Sequence, residues 1–442
     1  MDEFEGGISM ERFALEQLKK WKDKQNRKPL IIRGARQVGK TWIMREFGKS
    51  CFERTAYINF DSNPRMELLF SGEINIQRII LALSAETGVM IDARNTLLIF
   101  DEVQEVPRAL SALKYFCEEA PEYAIVAAGS LLGVAMHNGT SFPVGKVDFM
   151  DLYPMTFREF LTALGETSYV QILDSGDKGL LTMFKSKFID RLREYYYVGG
   201  MPEVVQDYVG NRDLASVRHI QKNLLDYYRQ DFSKHAAPVL VSRLNLVWDS
   251  IPMQLAKENK KYIYGRVRSG SRSKDFELAI QWLMDCGLIH KVRRIKKPDL
   301  PLKAYIDLDA FKIYLLDIGL LIAMADLDAR VIIEGNRIFT EFKGALTEQY
   351  VLQQLTAELG RDVYYYSAEN SSGEIDFLLQ GRDSMIPIEV KAEENLKAKS
   401  LRAFCDKYHP LHAIRTSMSD YREQDWMENI PLYCIGEVGK YV

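Results

Sequence analysis

The sequence predicts an α/β protein with a parallel sheet in its N-terminal part, a helical segment, and further α/β regions towards the C-terminus. Short apolar runs alternate with helical periodicity up to about residue 160, helical spacing dominates from about 160 to 240, and strand-like runs return near residue 291. Runs that are apolar on both faces are typical of buried parallel strands joined by helical crossovers.

Length and composition limit the class of protein further. The chain has 442 residues, and at roughly 150 residues per domain it should hold about three domains. With 47% apolar residues, 28 glycines and 14 prolines, collagen-like and Pro/Gly-rich disordered proteins are excluded. The formal net charge of −3 excludes a histone-like global attraction to nucleic acid but allows a local basic face.

Cellular location is predicted from three absences in the sequence. The N-terminus lacks a basic segment followed by an apolar one, so we expect no secretory signal. No run of 18 apolar residues predicts a membrane span. The five cysteines are scattered without a CxxC pair, which favours reduced thiols. We therefore expect a cytoplasmic protein with no membrane partner.

The elements can be predicted in chain order. The N-terminal strands are expected at residues 29–32, 55–60, 96–100 and 123–128, with a glycine-rich turn and a helix from Lys40 after the first of them. One apolar helical stripe contains Phe184, Phe188, Leu192 and Tyr195, and the glycines of residues 198–202 end that helix. Later elements are a β-ribbon at 291–295 and 304–308, a helix at 347–359, and strands at 374–379 and 386–390 followed by another helix. The tyrosine runs at 195–197 and 364–366 are predicted to be core and rim aromatics.

A phosphate-binding loop is the strongest motif. Residues 34–41 match G-x-x-x-x-G-K-[ST], and an apolar strand precedes them while a helix-compatible run follows. In such loops backbone N–H groups surround a phosphate, the lysine reaches the β- and γ-phosphates, and the hydroxyl binds Mg²⁺. The predicted nucleotide-binding residues are Gly34, Ala35, Arg36, Gln37, Val38, Gly39, Lys40, Thr41 and Trp42.

Two acids complete the predicted ATP site. Asp101 and Glu102 follow the strand at 96–100, and ligands bind at the carboxyl ends of strands in open α/β sheets. Asp101 is placed to hold Mg²⁺ with Thr41, and Glu102 to activate the attacking water. Ser130, after the fourth strand, is a candidate sensor of the γ-phosphate. Lys146 and Arg158 are the candidates for a charge-neutralising finger.

Five segments occur in order along the chain: RGARQVGKT (33–41), TLLIFDE (96–102), AAGS (127–130), LYPMTFREF (152–160) and YYVGGMPEVV (196–205). Together they resemble one bacterial and archaeal family of AAA+-type ATPases, fused to a C-terminal domain of unknown function. The resemblance implies ATP binding and a fused nuclease-like module. Relatives typically carry an arginine shortly before LYP where this chain has Lys146, a poorer bidentate clamp on phosphate.

Residues 257–303 are locally basic. Seven lysines and arginines between Lys257 and Lys274 precede a predicted helix and the ribbon from His290 to Lys303. This order resembles a winged helix, and DNA is a possible partner. The expected phosphate contacts are Arg266, Arg268, Arg272, Arg293 and Arg294, with a solvated basic face or a protein-contact surface as the alternatives.

The last region resembles the D…(D/E)-x-K site of restriction-endonuclease-like folds. Glu389 and Lys391 share one face of a predicted strand, and Asp376 can meet them from the preceding strand. Glu348, on the helix before, matches the helical acid of many such sites. The predicted metal ligands for Mg²⁺ or Mn²⁺ are Glu348, Asp376 and Glu389, and Lys391 would act on the attacking water.

The expected domains are an ATPase core (1–165), a helical lid (166–240), a winged-helix-like domain (241–330) and a restriction-endonuclease-like domain (331–442). The predicted function is Mg²⁺-dependent ATP hydrolysis that controls a DNA-binding or nuclease-like module. Two alternatives stay open: a nucleotide-dependent switch for a protein partner with an inert C-terminal module, and a metal-dependent nuclease for which ATP is only a regulator. A homo-oligomer is possible, because sites of this type often borrow a residue from a neighbouring subunit.

Overall fold

The computed structural model describes residues 11–129, 142–257, 260–333, 340–368, 373–393 and 398–442, excluding the side chains of 340 and 341. The chain forms two compact units. The first unit comprises Glu11–Tyr153 and Trp282–Leu288, and the second comprises Pro154–Gln281 and Ile289–Val442. Within the described ranges, no helix is both long enough and apolar enough to cross a bilayer.

The first unit alternates helices with short strands. Its elements are α1 (Ala14–Lys22), β1 (Leu30–Arg33), α2 (Lys40–Cys51), β2 (Arg54–Asn59), α3 (Pro64–Ser71), α4 (Ile76–Thr87), β3 (Thr96–Asp101), α5 (Pro107–Glu119), β4 (Ala124–Ala128) and β5 (Asp148–Asp151). Helix starts follow local chemistry, because the side chains of Asn63 and Asn75 accept from the first turns of α3 and α4, and Pro107 opens α5.

The strands of the first unit form one parallel sheet in the order β2-β3-β4-β1-β5. The four N-terminal strands predicted from apolar runs are confirmed as β1 to β4. The fifth strand was not predicted, because its sequence Asp-Phe-Met-Asp places one buried residue between charged ends at the sheet edge. It pairs with β1, the strand that leads into the glycine-rich turn, and forms the edge of the sheet beyond β1.

One face of this sheet is covered by α3, α4 and α5 through a large apolar core. Phe60, Phe70, Phe100 and Phe116 form an edge-to-face and tilted aromatic chain inside it, with ring centroids 5.3–6.4 Å apart. Burying a phenylalanine stabilises a fold by about 1.5–3 kcal/mol. This core holds β3, which carries Asp101, in a fixed position.

The second unit begins with helices and ends in a mixed sheet. Its helices are α6 (Phe157–Ala163), α7 (Thr167–Ser175), α8 (Lys178–Met183), α9 (Lys185–Val198), α10 (Pro202–Asn211), α11 (Leu214–His235), α12 (Pro238–Leu255), α13 (Tyr264–Val267), α14 (Ser273–Asp285, whose last turn belongs to the first unit), α15 (Ile318–Met324), α16 (Ala329–Ile333), α17 (Thr340–Leu359) and α18 (Lys399–Tyr408). Its strands are β6 (Ile289–Ile295), β7 (Ile306–Leu315), β8 (Tyr364–Ser367), β9 (Glu374–Gln380), β10 (Met385–Val390), β11 (Ile414–Ser417), β12 (Arg422–Gln424) and β13 (Met427–Pro431). A 3-10 helix, Leu432–Tyr441, follows the last strand.

These eight strands form one sheet in the order β12-β13-β11-β10-β9-β8-β6-β7. The ribbon β6–β7 is antiparallel as expected, but β6 also pairs in parallel with β8 through Arg293↔Tyr364 and its neighbours. The sheet therefore crosses the domain boundary expected between residues 330 and 331. The ribbon is not a free-standing wing, because one of its strands has a neighbour on each side.

The C-terminal part of this unit follows the expected order of elements. Helix α17 leads into the antiparallel strands β8, β9 and β10, and α18 then leads to β11, which lies parallel to β10. The tyrosine run at 364–366 is buried as predicted, but it forms a strand that the sequence analysis did not assign. Strand β10 is buried along its whole length, as its apolar sequence indicates.

Two of the segments that carry the family resemblance pack together in the second unit. Gly199 has φ 76° and packs against Asp317, so no larger side chain fits there. Gly200 donates its N–H to Asp317 at 2.6 Å and accepts from Met155 N at 2.6 Å. Thr156 and Glu159, three residues later, then begin α6 through a capping box. Both segments thus have structural roles that account for their sequences.

Candidate functional site

The turn between β1 and α2 has the backbone of a phosphate loop. Gln37 and Gly39 adopt left-handed conformations with φ 66° and 94°, and Gly39 immediately precedes α2. Gly34 has φ 150°, and its Cα lies so close to the Leu152 carbonyl that a Cβ there would overlap it. The glycines are therefore required by conformation at Gly39 and by space at Gly34.

Lys40 lies in the centre of this loop and is 7% exposed. Its Nζ donates to the carbonyl oxygens of Gly34 at 2.8 Å and Ala35 at 2.7 Å. Burial lowers the pKa of Lys40 to about 8, although the carboxylates of Glu102 and Asp101 oppose that change. An ammonium that donates to two carbonyls can exchange these partners for the oxygens of a phosphate.

Asp101 receives two hydroxyl groups at the carboxyl end of β3. Thr41 Oγ1 donates to Asp101 Oδ2 at 2.7 Å, and the hydroxyl of Tyr57 on β2 donates to the same oxygen at 2.9 Å. Asp101 is 3% exposed. The sequence-predicted pair of Thr41 and Asp101 is therefore brought together, and Tyr57 is an addition that the sequence analysis missed.

Glu102 follows directly and has an unusual backbone. Its φ is 50°, in the left-handed region, and its N–H donates to Asp101 Oδ1 at 3.1 Å. Its Oε2 accepts from Gln104 Nε2 at 2.8 Å. A left-handed glutamate costs conformational free energy, and such conformations cluster at functional sites. Its carboxylate favours the charged form of Lys40, and this effect partly offsets the lowering of the Lys40 pKa by burial.

Arg12 is a second residue of this site that sequence reasoning missed. Its guanidinium donates to Val38 O in the loop at 3.0 Å and to Tyr153 O at 2.6 Å, and the residue is 5% exposed. It therefore joins the loop, through the carbonyl of Val38, to the backbone of Tyr153. No local pattern marks a lone arginine at the start of the chain, since its two acceptors lie 26 and 141 residues away.

The remaining predicted residues of the ATP site have varied positions. Ser130 lies outside the described residues. Trp42 is 40% exposed on the first turn of α2. Lys146 pairs with Glu118 at 2.8 Å in the first unit, and Arg158 forms an ion pair with Asp174 in the second. Both candidate fingers thus hold acidic partners of their own.

The acids predicted near the C-terminus are accompanied by two lysines. We call Lys260, Lys312, Glu348, Glu374 and Asp376 the acid–lysine cluster. Lys260 Nζ pairs with Glu348 Oε1 at 2.5 Å, and Lys312 Nζ lies 2.5 Å from Glu374 Oε1 and 3.7 Å from Glu348 Oε2. Lys312 is completely buried.

Charges within the acid–lysine cluster depend on one another. Burial opposes the charge of Glu348, but Lys260 and Lys312 lower its pKa below the usual range. Burial and then the negative charge of Glu348 raise the pKa of Asp376. Burial also opposes the charge of Lys312, yet the neighbouring acids raise its pKa. Lys312 therefore supplies an internal cation to these carboxylates.

The predicted metal site is not assembled in the described part of the chain. Asp376 Oδ2 accepts the N–H of Val390 at 2.8 Å, and Glu389 Oε1 pairs with Lys391 Nζ at 2.7 Å. Across the described ranges, no three His, Cys, Asp or Glu side chains are grouped so that they could hold a metal ion. Glu348 pairs with Lys260 and Lys312, and Glu389 pairs with Lys391, so the metal-binding role of Glu348, Asp376 and Glu389 stays a prediction.

The basic residues predicted to contact DNA fall into two groups. Arg266, Arg268 and Arg272 are exposed, as is the neighbouring Lys274, and none of these four residues, which we call the basic run, forms an ion pair with a described residue. Arg293, also predicted to contact DNA, is half-buried on β6. Arg294 instead lies against Asp307, with 2.5 Å between Nη2 and Oδ2, and its side chain is 17% exposed. The ribbon therefore contributes less free positive charge than its sequence indicates.

Family models match three parts of the chain. Residues 26–161 match an AAA domain, residues 189–331 match a domain of unknown function, DUF8612, and residues 343–435 match another domain of unknown function, DUF4143. No curated protein matches the sequence.

Solved structures give loose likenesses. The Walker-type ATPase PABY2304 of Pyrococcus abyssi is 13% identical, with a TM-score of 0.44, over 72% of this chain and 96% of its own. The ORC1 protein of Aeropyrum pernix in complex with DNA is 12% identical, with a TM-score of 0.24, over 71% and 90%. Cdc6p from Pyrobaculum aerophilum is 13% identical, with a TM-score of 0.24, over 73% and 93%.

The AAA match and the parallel sheet with its phosphate loop agree. The chain contains an AAA-type P-loop ATPase domain, a class of domain that binds and hydrolyses ATP. The predicted α/β ATPase core is confirmed at this level. The winged-helix-like and restriction-endonuclease-like identities of the later regions stay predictions.

Proposed function

We propose that Gly34–Thr41 bind Mg·ATP and that Asp101 and Glu102 support its hydrolysis. The observation that carries this proposal is the hydrogen bond of 2.7 Å between Thr41 Oγ1 and Asp101 Oδ2. It places a hydroxyl and a carboxylate oxygen together beside the phosphate loop, and Mg²⁺ prefers oxygen ligands of these two kinds.

Each residue then has a defined task. Lys40 leaves the carbonyls of Gly34 and Ala35 and contacts the β- and γ-phosphates. Thr41 and Asp101 hold the metal ion, which when bound neutralises charge on the phosphate oxygens. Glu102, next to Asp101 on the chain, orients the attacking water and accepts its proton.

The test compares ATP binding and hydrolysis in four proteins. Wild type should hydrolyse ATP only with Mg²⁺, and Lys40→Ala should lose ATP binding. Glu102→Gln should bind ATP, but its rate of hydrolysis should fall by at least roughly 10²-fold. Lys49→Ala is the matched control, because Lys49 is an exposed lysine on the same helix α2. Equal hydrolysis in wild type and Lys40→Ala would reject the proposal.

A second function, DNA contact, is favoured by the basic run. Four exposed cations within residues 266–274 have no ion-pair partner among the described residues, and such clusters bind phosphate backbones without reading sequence. We propose that ATP changes the affinity of this contact. The acid–lysine cluster would then have a structural role rather than a cleavage role.

DNA affinity measured at several salt concentrations tests this second function. Replacing Arg266, Arg268 and Arg272 with alanine should weaken DNA binding. It should also make the dependence of log K on log[salt] less steep, by about 0.9 for each of the three lost phosphate contacts. The charge-matched control replaces the exposed Lys187, Lys234 and Lys399. Equal losses of DNA affinity in both triple variants would show that DNA binds through the overall charge of the protein and not through the basic run. Equal affinity with and without ATP would reject the coupling and favour a switch for a protein partner.

A further inference from the structure

A short segment far along the chain belongs to the first unit. Residues Trp282–Leu288 are grouped with Glu11–Tyr153, and they contain the C-terminal turn of α14. The turn ends in a Schellman arrangement, in which Gly287 N donates to Met284 O at 2.9 Å and Leu288 N donates to Leu283 O at 2.9 Å. Gly287 has φ 71°, the left-handed conformation that this cap requires.

Gly287 also lies directly against the phosphate loop. A Cβ at this position would lie 3.1 Å from Ala35 N, 3.6 Å from Gly34 C and 3.7 Å from Ala35 Cα. The first of these distances is shorter than ordinary van der Waals contact, so the loop would have to move. On another side the same loop is bounded by the carbonyl of Leu152 at Gly34. The backbone of Gly34 and Ala35 is therefore fixed by close packing at both residues.

These two residues are the ones that hold Lys40. The carbonyl oxygens of Gly34 and Ala35 accept from Lys40 Nζ at 2.8 and 2.7 Å, and the thiol of the neighbouring Cys286 is near enough to influence that lysine. A displacement of the Gly34–Ala35 backbone consequently displaces the acceptors that place the ammonium. Neither function of Gly287 is visible in the phosphate-loop motif itself.

We propose that Gly287 is a positioning residue of the ATP site, which holds the Gly34–Ala35 backbone in the conformation that binds the phosphates. This inference rests on the proposed ATP binding. Gly287 touches no phosphate; it acts through the loop. Its expected influence is on nucleotide affinity rather than on the chemistry of Glu102.

The test is Gly287→Ala beside a matched control, Gly88→Ala. Gly88 ends helix α4 of the same unit in the same left-handed conformation, with φ 67°, but nothing lies within 4 Å of a Cβ there. Both variants carry the backbone strain, and only Gly287→Ala pushes on the loop. We expect at least a fivefold rise in KM and in the Kd of Mg·ATP for Gly287→Ala relative to Gly88→Ala, with kcat changed less than twofold.

Equal ATP affinity in the two folded variants would overturn the inference. If Gly287→Ala does not fold, hydrogen exchange on wild type decides. Mg·ATP should then slow exchange in a peptide covering 282–288 and leave one covering 84–90 unchanged, and unslowed exchange would overturn the inference. Wild type that neither binds nor hydrolyses ATP, like Lys40→Ala, would instead show that the proposed function has failed.

Discussion

Thr41 on α2 donates its hydroxyl to Asp101 at the end of β3, with 2.7 Å between Oγ1 and Oδ2. The two residues are 60 positions apart in the chain. A strand end and a helix start meet here because β1 and β3 flank β4 in one parallel sheet. The relationship joins the two halves of the predicted ATP site.

The charge of Asp101 should matter more than its hydrogen bonds. Asp101→Asn keeps the size of the side chain but removes the charge that would hold Mg²⁺. Losing several kcal/mol of charge stabilisation corresponds to a fall of roughly 10²–10³-fold in the rate of ATP hydrolysis. Tyr57→Phe removes a donor to the same oxygen and keeps the charge, so its rate should stay within about fivefold of wild type. Steady-state assays over a Mg²⁺ series measure both, and equal losses would contradict the assignment of Asp101.

ATP affinity should fall as the pH rises through 8. Burial lowers the pKa of Lys40 to about 8, so the ammonium that contacts phosphate is mostly present at pH 7 and mostly absent at pH 9. Bound phosphate, already fully ionised there because its own pKa is about 6, should raise the lysine pKa again. Calorimetry in buffers of different ionisation enthalpy should therefore detect about half a proton taken up at pH 8. An ATP affinity that is constant from pH 7 to 9.5 would show that Lys40 stays charged in the free protein.

Arg12 should support ATP binding from outside the ligand contacts. Arg12→Met removes two charged hydrogen bonds to backbone carbonyls, of which Val38 O belongs to the loop, and hydrogen bonds to charged groups contribute about 1.5–3 kcal/mol. Arg27→Met is the control, because Arg27 also donates to two carbonyls, those of Lys22 and Glu122. Thermal unfolding should register both changes, whereas the Kd of ATP should rise only for Arg12→Met. A rise of similar size in the control would make the effect one of general stability.

Lys312 should be essential for the stability of the second unit. Lys312→Met removes the buried cation beside Glu374 and leaves Glu348 with Lys260 alone, and breaking a buried pair in this way costs about 3–5 kcal/mol. Lys296→Met removes a cation that is 56% exposed, at 3.8 Å from Asp307, and should cost about 0–1 kcal/mol. Urea unfolding of both variants gives the comparison. A fully stable Lys312→Met would mean that these acids need no internal cation.

DNA should remain uncut by the wild-type protein with Mg²⁺ or Mn²⁺. Asp376 accepts a backbone N–H and Glu389 pairs with Lys391, and no metal-binding group of three such residues occurs in the described ranges. Branched, linear and single-stranded DNA incubated with and without ATP would test this expectation. Cleavage that disappears in Asp376→Ala would restore the predicted nuclease site.

The sequence could determine what depends on neighbours along the chain. The residues of the phosphate loop are contiguous in the sequence. The strands β1 to β4 are apolar runs, and their apolar composition predicts that they are buried. The glycine pair at 199–200 likewise predicted a helix end, because φ above zero is a local requirement at Gly199. In each case the physical cause acts within a few residues, so the pattern and the structure agree.

Tertiary structure alone decided which distant segments meet. Arg12 donates to the carbonyls of Val38 and Tyr153, and Gly287 packs against Ala35. Lys312 lies beside Glu348 and its neighbouring acids. The pairing of β6 with β8 joins two regions that the sequence divided. Periodicity reports that a segment is buried but not what covers it, because pairing and ion contacts form between residues tens to hundreds of positions apart. The phosphate loop was therefore predictable, whereas the contacts that Arg12 and Gly287 make with it and the ion pairs of the acid–lysine cluster were not.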